Sequence, residues 1–153
     1  MLLLVFQAGR ETYGLDARSV LEVAPYPVCT PLAHAPNWVV GLSIWHGNTI
    51  PVIDLSSLLE AAPAPVLLST RLIVVDYVTR KGLTQPLGLV AEKVVETIML
   101  SDSQQAPPKV AIPDAPYLNG THDYAGRLIH KLTVDELLPA HVRALLFPAP
   151  EVE

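Results

Sequence analysis

The feature that most constrains the fold is a glycine-spaced strand pattern that occurs twice along the chain. Gly14-Leu15 precedes Val20-Leu21-Glu22, and the same spacing separates Gly88-Leu89 from Val94-Val95-Glu96. In each half, two further glycines lie six residues apart, and the second opens an apolar strand. These glycines are Gly41 and Gly47, and Gly120 and Gly126. The repeat predicts a mainly β fold of two small five-stranded barrels that are packed on each other and related by a pseudo-twofold axis.

Strand signals dominate the rest of the chain, and helix signals are short. Asp16 and Asp54 each follow a strand and predict N-caps, because a carboxylate there accepts from free helix N–H groups. Ser57 with Glu60, and Thr133 with Glu136, have the spacing of capping boxes. A last helix is expected from Pro139 through Leu146. The predicted strands are Val39–Trp45, Ile50–Ile53, Arg71–Tyr77, Leu87–Ala91, Val94–Leu100 and Arg127–Leu132.

The segment from Gly41 to Leu55 predicts a hairpin. Its turn is expected at residues 46–49, because Gly47 and Asn48 both tolerate positive φ. Pro51 lies within the second strand and indicates an edge strand or a bulge, since proline cannot donate to a ladder. Trp45 adjoins the turn, and its ring is open to two interpretations, a binding anchor for a partner or intramolecular packing.

Composition excludes several classes of function. Of 153 residues, 50% are apolar and 16% charged, which is ample for a core and leaves an apolar share of surface for partners. The net charge of −5 argues against nucleic-acid binding. The single cysteine, Cys29, excludes an internal disulfide and fits a reducing cytoplasm. The apolar N-terminus is too short for a signal peptide or a membrane span, so direct membrane insertion is not expected.

The chain shows no pattern typical of catalysis. The five histidines lack the spacing of metal ligands, and no glycine-rich phosphate loop or nucleophile elbow occurs. They are His34, His46, His122, His130 and His141. We therefore predict no catalytic residue, no cofactor and no metal, and a protein that is not an enzyme.

The Gly41–Leu55 segment, written G-x-x-x-x-x-G-x-x-x-P-V-x-D-L, resembles the core signature of CheW-like domains, the coupling proteins of bacterial chemosensory arrays. Leu3–Phe6 and Tyr13–Asp16 resemble the opening elements of that family, and Tyr117–Gly120 resembles its C-terminal part. The resemblance covers residues 3–138 and independently implies two SH3-like barrels. It also implies one domain over residues 1–147, with barrels at about 12–65 and 70–132 and with an N-terminal strand and a C-terminal helix completing the pair. The sequence of residues 148–153 predicts a disordered tail.

One position departs from the family pattern. The family usually has Arg directly before the second glycine of the signature, where this chain has His46, and an aliphatic residue where it has Trp45. Glu22 matches a Glu that lies near that Arg. An always-charged fork is thus replaced by an imidazole that is mostly neutral at pH 7. The resemblance implies a receptor-binding site at Val20, Glu22, Gly41, His46 and Gly47, and the anchor interpretation adds Trp45 to it.

The resemblance implies a cytoplasmic adaptor that is recruited to membrane receptor arrays. Its expected partners are the regulatory domain of a CheA-like histidine kinase and the cytoplasmic hairpin of methyl-accepting-type receptors. The His46 departure suggests a dedicated system, with surface sensing, pilus motility and second-messenger control as candidates. The alternative is a stand-alone ligand-binding or enzymatic double barrel.

Overall fold

The computed structural model describes residues 1–79, 82–101 and 113–148. Within these residues the chain forms ten strands, two short α-helices and two single 3₁₀ turns. The strands are β1 (Leu2–Ala8), β2 (Glu11–Asp16), β3 (Val20–Pro25), β4 (Val39–Trp45), β5 (Asn48–Asp54), β6 (Arg71–Val78), β7 (Thr84–Ala91), β8 (Lys93–Met99), β9 (Leu118–Tyr124) and β10 (Arg127–Leu132). The helices are α1 (Leu55–Glu60) and α2 (Ala140–Leu146), and the 3₁₀ turns are Ala17–Ser19 and Val134–Glu136.

The strands form two five-stranded sheets with the same topology. One sheet has the order β8-β1-β2-β10-β9 and the other the order β3-β6-β7-β5-β4. Shifting every strand by five positions along the chain converts one order into the other. The mainly β fold of two equivalent five-stranded halves is therefore confirmed.

The register of the two parallel strand pairs gives the repeat a structural basis. Gly88 of β7 lies opposite Val52 of β5, and Gly14 of β2 lies opposite Lys131 of β10. A Cβ at Gly88 would lie 2.9 Å from a methyl of Leu72, so these glycines allow close packing inside each barrel. The repeated glycines thus occupy equivalent positions in the two sheets.

The division of the chain between the barrels, expected at 12–65 and 70–132, is wrong in its strand assignment. The first barrel is continuous from β3 to β7, residues 20–91, and the second combines β1 and β2 with β8, β9 and β10. The physical reason is the parallel pairing of β5 with β7, which carries the β6–β7 hairpin onto the sheet of the first half. The sequence repeat therefore does not coincide with one barrel.

The core lies in three layers because several strands bury both of their faces. Leu3 and Val5 of β1 point into the second barrel, whereas Leu4 and Phe6 pack between the barrels. In β6, Leu72 and Val74 fill the first barrel, and the alternate residues from Ile73 onward face the shared core. The shared core also receives α2 through Val142 and Leu146. Apolar runs rather than alternating patterns follow from this double burial.

Pro51 lies in an inner strand, so the expectation of an edge strand is wrong. β5 is flanked by β4 and β7. Leu42, the residue opposite Pro51 on β4, exchanges both backbone hydrogen bonds with Thr30, at 2.8 and 2.9 Å. The parallel pairing with β7 begins only at Val52. Proline fits here because neither neighbouring strand requires its missing N–H.

The two aspartate caps are confirmed, and the two capping boxes are wrong. Asp16 accepts from the backbone of Arg18, and Asp54 accepts from Ser56 N at 3.0 Å, so α1 begins before the predicted box. Glu60 instead accepts from Arg10 N at 2.7 Å, and Thr133 makes no side-chain cap bond. α2 ends at Leu146, as expected. The tail beyond residue 148 lies outside the described residues.

We expect Gly41→Ala to destabilise the protein far more than Gly47→Ala. Gly41 has φ +143°, and an added Cβ would lie 2.0 Å from the carbonyl oxygen of Thr30. Gly47 has φ +78° with open space around its Cα. Thermal unfolding should show a loss of about 1 kcal/mol for Gly47→Ala and at least twice that for Gly41→Ala. Equal losses would contradict the close approach of β4 to the Thr30 segment.

Candidate partner-binding site

The site is built on the two-residue turn between β4 and β5. His46 has φ +48° and Gly47 φ +78°, and they connect the cross-strand pair of Trp45 and Asn48. Positive φ at both turn residues is typical of the hairpin turns that match strand twist. The turn is therefore one residue earlier than expected, on His46 and Gly47 rather than on Gly47 and Asn48. Asn48 contributes through its side chain, which donates to His46 O at 3.4 Å.

Glu22 contacts both aromatic residues that precede Gly47. The indole Nε1–H of Trp45 donates to Glu22 Oε2 at 2.8 Å, and His46 Nε2 lies 3.3 Å from Glu22 Oε1. The Trp45 and His46 rings meet edge to face, with centroids 4.5 Å apart. We call these three residues the Glu22 cluster. Its His46 side chain is 63% exposed and its Glu22 side chain 39% exposed, so a partner can reach both.

The Glu22 cluster closes the first barrel. β3 and β4 are the two edge strands of one sheet, at opposite ends of its strand order. Glu22 lies on β3 and Trp45 on β4, so their hydrogen bond joins the two edges across the open side of the barrel. The position of the cluster is thus fixed by the curvature of the whole sheet.

The second barrel has a related contact at the equivalent place. Arg127 Nη2 donates to Glu96 Oε1 at 3.0 Å, and Glu96 is the repeat equivalent of Glu22. Arg127 follows the turn glycine Gly126, whereas His46 precedes Gly47. The sequence analysis missed Arg127, although its place beside the repeated glycine was the available signal.

The environment of Glu22 favours the ionised carboxylate. The hydrogen bond from Trp45, and then that from His46, lower the pKa of Glu22 below its ordinary value. The indole contribution is the larger of the two. The cluster therefore presents an anion together with an imidazole at the protein surface.

The structure brings some of the predicted site residues together and separates others. The Trp45 ring is half-buried against the core of the first barrel and donates to Glu22, so intramolecular packing of this ring is observed. Its role as a binding anchor for a partner stays a prediction. Gly47 is exposed in the turn, next to the cluster. Gly41 is buried beneath the Thr30 segment, and Val20, two residues before Glu22 on β3, packs against the shared core. A binding role for Gly41 and Val20 stays a prediction.

In the part of the chain that the structure describes, no group of three His, Cys, Asp or Glu side chains could hold a metal ion. His130 instead lies at the surface of β10, with its Nε2 3.7 Å from Glu11 Oε2 and its Nδ1 3.3 Å from Thr121 Oγ1.

Among the described residues, no helix is both long enough and apolar enough to cross a membrane.

Comparison with known proteins agrees with this architecture. The CheW-like domain model matches residues 2–141. The chain is 28% identical to Chemotaxis protein CheW of Klebsiella aerogenes over 145 residues, covering 94% of this chain and 84% of that protein. It is 25% identical to Chemotaxis protein CheW of Rhizobium meliloti over 143 residues, covering 92% and 89%. The crystal structure of the scaffolding protein TtCheW from Thermoanaerobacter tengcongensis has a TM-score of 0.79, at 26% identity, covering 89% of this chain and 90% of that one.

The double-barrel fold and the match along almost the whole chain define the class of the protein as a mainly β double-barrel scaffold. The chain belongs to the CheW-like domain family.

We expect the stabilising effect of the Glu22 cluster to disappear in acid. A lowered folded-state pKa means that the effect is present above the pKa of the unfolded chain and is lost as pH falls through the folded value. The difference in melting temperature between the wild type and Glu22→Gln should therefore be largest near neutral pH and shrink toward pH 2.5. Trp45→Phe, which removes the larger cause, should reduce this pH dependence more than His46→Ala. A difference that is constant from pH 2.5 to 7 would contradict the hydrogen bonds to Glu22.

Proposed function

We propose that this protein is a non-catalytic adaptor that couples methyl-accepting-type receptors to a CheA-like histidine kinase. Membership of the CheW-like family and relatives named as chemotaxis proteins support the broader statement, a chemotaxis coupling scaffold. The single observation that carries the proposal is the CheW-like match over residues 2–141 on a double barrel with a surface-exposed Glu22 cluster. The match covers both barrels, as an adaptor with two binding faces requires.

The receptor is proposed to bind at the Glu22 cluster, with Gly47 at its edge. Glu22 and His46 are accessible there, Glu22 being held by the hydrogen bond from Trp45 and His46 by the backbone of the turn. Val20 and Gly41 remain part of the proposed site as residues that shape it, because Val20 anchors the start of β3 to the shared core and Gly41 allows the Thr30 segment to approach β4 closely. The expected receptor element is the cytoplasmic helical hairpin.

The kinase regulatory domain is proposed to bind a separate apolar face. The first barrel exposes Leu67 (61%) and Leu68 (98%) in the segment before β6, and it exposes Val28 (93%) in the separate segment between β3 and β4. Exposed aliphatic groups in a chain with few charges are typical of partner surfaces. Two faces on one rigid body would let the bound receptor state shift the population of kinase states.

In the cell, the adaptor is proposed to be cytoplasmic and recruited to membrane receptor arrays by these two contacts. The departure at His46 favours a dedicated chemosensory system, such as surface sensing, pilus motility or second-messenger control. A receptor and a CheA-like kinase encoded beside the gene would support that assignment.

The adaptor should bind a receptor fragment and a kinase regulatory domain at the same time. Calorimetric titration is expected to give affinities around 1 μM for each, since such signalling contacts are at the small end of interface sizes. Adding saturating receptor fragment should leave the kinase domain bound, which size-exclusion chromatography with light scattering would detect as a ternary complex. Complete displacement of one partner by the other would contradict separate faces.

Receptor choice should change with the residue at position 46. His46→Arg is expected to bind general chemoreceptors more tightly than the wild type does, because a guanidinium supplies a charge and a bidentate fork at all pH values. Binding of the native receptor should weaken in the same variant. Pull-down with both receptor types between pH 5.5 and 8 measures the change, and His141→Arg on α2 is the matched control. Unchanged preference in His46→Arg would place receptor recognition elsewhere.

A further inference from the structure

The two oxygens of the Glu22 carboxylate are held by different rings on adjacent residues. Oε2 receives the indole N–H of Trp45 at 2.8 Å, and Oε1 lies 3.3 Å from His46 Nε2. An indole nitrogen keeps its proton at every physiological pH, whereas the role of the imidazole nitrogen depends on its tautomer and charge. The Trp45 hydrogen bond is therefore the permanent one, and the His46 contact is conditional.

Trp45 is also the mechanically fixed member of the cluster. Its ring is half-buried and packs against the core of the first barrel, near Ile50 and Val52. It meets the His46 ring edge to face as well. A side chain that is held by core packing can hold a neighbouring polar group in one orientation at low entropic cost. Trp45 is thus placed to fix both of the exposed groups.

The Glu22 carboxylate retains capacity to accept hydrogen bonds from outside. A carboxylate offers about four lone-pair sites, and two of them are occupied here. The side chain is 39% exposed. A positively charged donor would gain most from this position, because a hydrogen bond between ionised groups is roughly twice as strong as a neutral one.

We propose that Trp45 is a positioning residue for partner recognition, which orients Glu22 to accept hydrogen bonds from a basic side chain of the receptor. The identity of the partner rests on the proposed function, whereas the positioning role rests on the contacts of Trp45 alone. The Trp45 indole N–H belongs to a ring that packs against the core. The orientation that it gives to the Glu22 carboxylate is therefore independent of the protonation of His46.

The positioning role is tested by NMR on the full chain. The chain has only two tryptophans, Trp38 and Trp45, so the indole N–H region holds two side-chain signals, and Trp45→Phe assigns them. Glu22→Gln should shift the Trp45 indole signal and leave that of Trp38 in place. In a His46→Ala background, which removes the neighbouring imidazole, acid titration should move the Trp45 signal, and it should not do so once Glu22→Gln is added. A Trp45 indole signal that moves neither with the Glu22→Gln substitution nor with acid titration would overturn the positioning role.

The recognition role is tested by binding to the receptor cytoplasmic fragment. Trp45→Phe keeps an aromatic ring in the core and removes the N–H donor, and we expect it to weaken binding about three- to tenfold. Glu22→Gln should weaken binding at least as much. The double variant should bind no more weakly than the single variant with the lower receptor affinity, because both substitutions act through one carboxylate. Replacing the basic residues at the bound tip of the fragment by Gln should abolish the difference between wild type and Trp45→Phe.

Controls separate this inference from the proposed function. Trp38→Phe should leave receptor affinity unchanged, and Trp45→Phe should bind the kinase regulatory domain as the wild type does. A wild-type protein that binds no receptor fragment would overturn the proposed function and the recognition role, while the NMR result decides the positioning role separately. Receptor binding that is unaffected by Trp45→Phe, or additive losses in the double variant, would overturn the recognition role and leave the adaptor function standing.

Discussion

The structure depends on one packing constraint, the apolar layer that both sheets share. Strand side chains alternate between faces, and in β1 and β6 both faces are buried, one in a barrel and one between the barrels. Neither barrel could keep these strands in water alone without exposing Leu4, Phe6, Ile73 or Val75. The two halves therefore form one body, and the relative position of any two surface sites is fixed by the same core.

The C-terminal segment completes that layer. The ring of Phe147 stacks on Tyr77 with centroids 5.2 Å apart, and Arg143 Nε donates to the Tyr77 hydroxyl at 2.9 Å. Burial raises the pKa of Tyr77 despite the nearby guanidinium, which indicates that desolvation dominates at this position. A buried hydroxyl without a donor or acceptor would be costly, so Arg143 also serves to place α2 on the core.

Much of the fold could be predicted from the sequence, because its signals are local. Strand positions follow from apolar runs between turn residues, and the caps at Asp16 and Asp54 follow from the residue type and the strand end. The partition of strands between barrels could not be predicted in the same way. It depends on the parallel pairing of β5 with β7, which is a contact between segments that no local pattern describes. The edge strand predicted from Pro51 was wrong for a similar reason. Proline is tolerated in this inner strand because the backbone of Leu42, opposite it, forms its hydrogen bonds with Thr30.

In the candidate site, the backbone conformation of the turn is set by the fold, whereas the charge and the hydrogen-bonding groups are set by the side chains. The turn at His46 and Gly47 has positive φ at both positions, and the equivalent turn of the second barrel, Ala125 and Gly126, does too. Backbone geometry is therefore common to both hairpins and independent of the side chain at position 46. The family resemblance could place Glu22 near His46, but the indole bond from Trp45 needed the barrel closure that brings β3 to β4. Because the scaffold sets direction and the side chains set charge, a change of residue at this turn changes the charge that the proposed site presents to a partner without altering the fold.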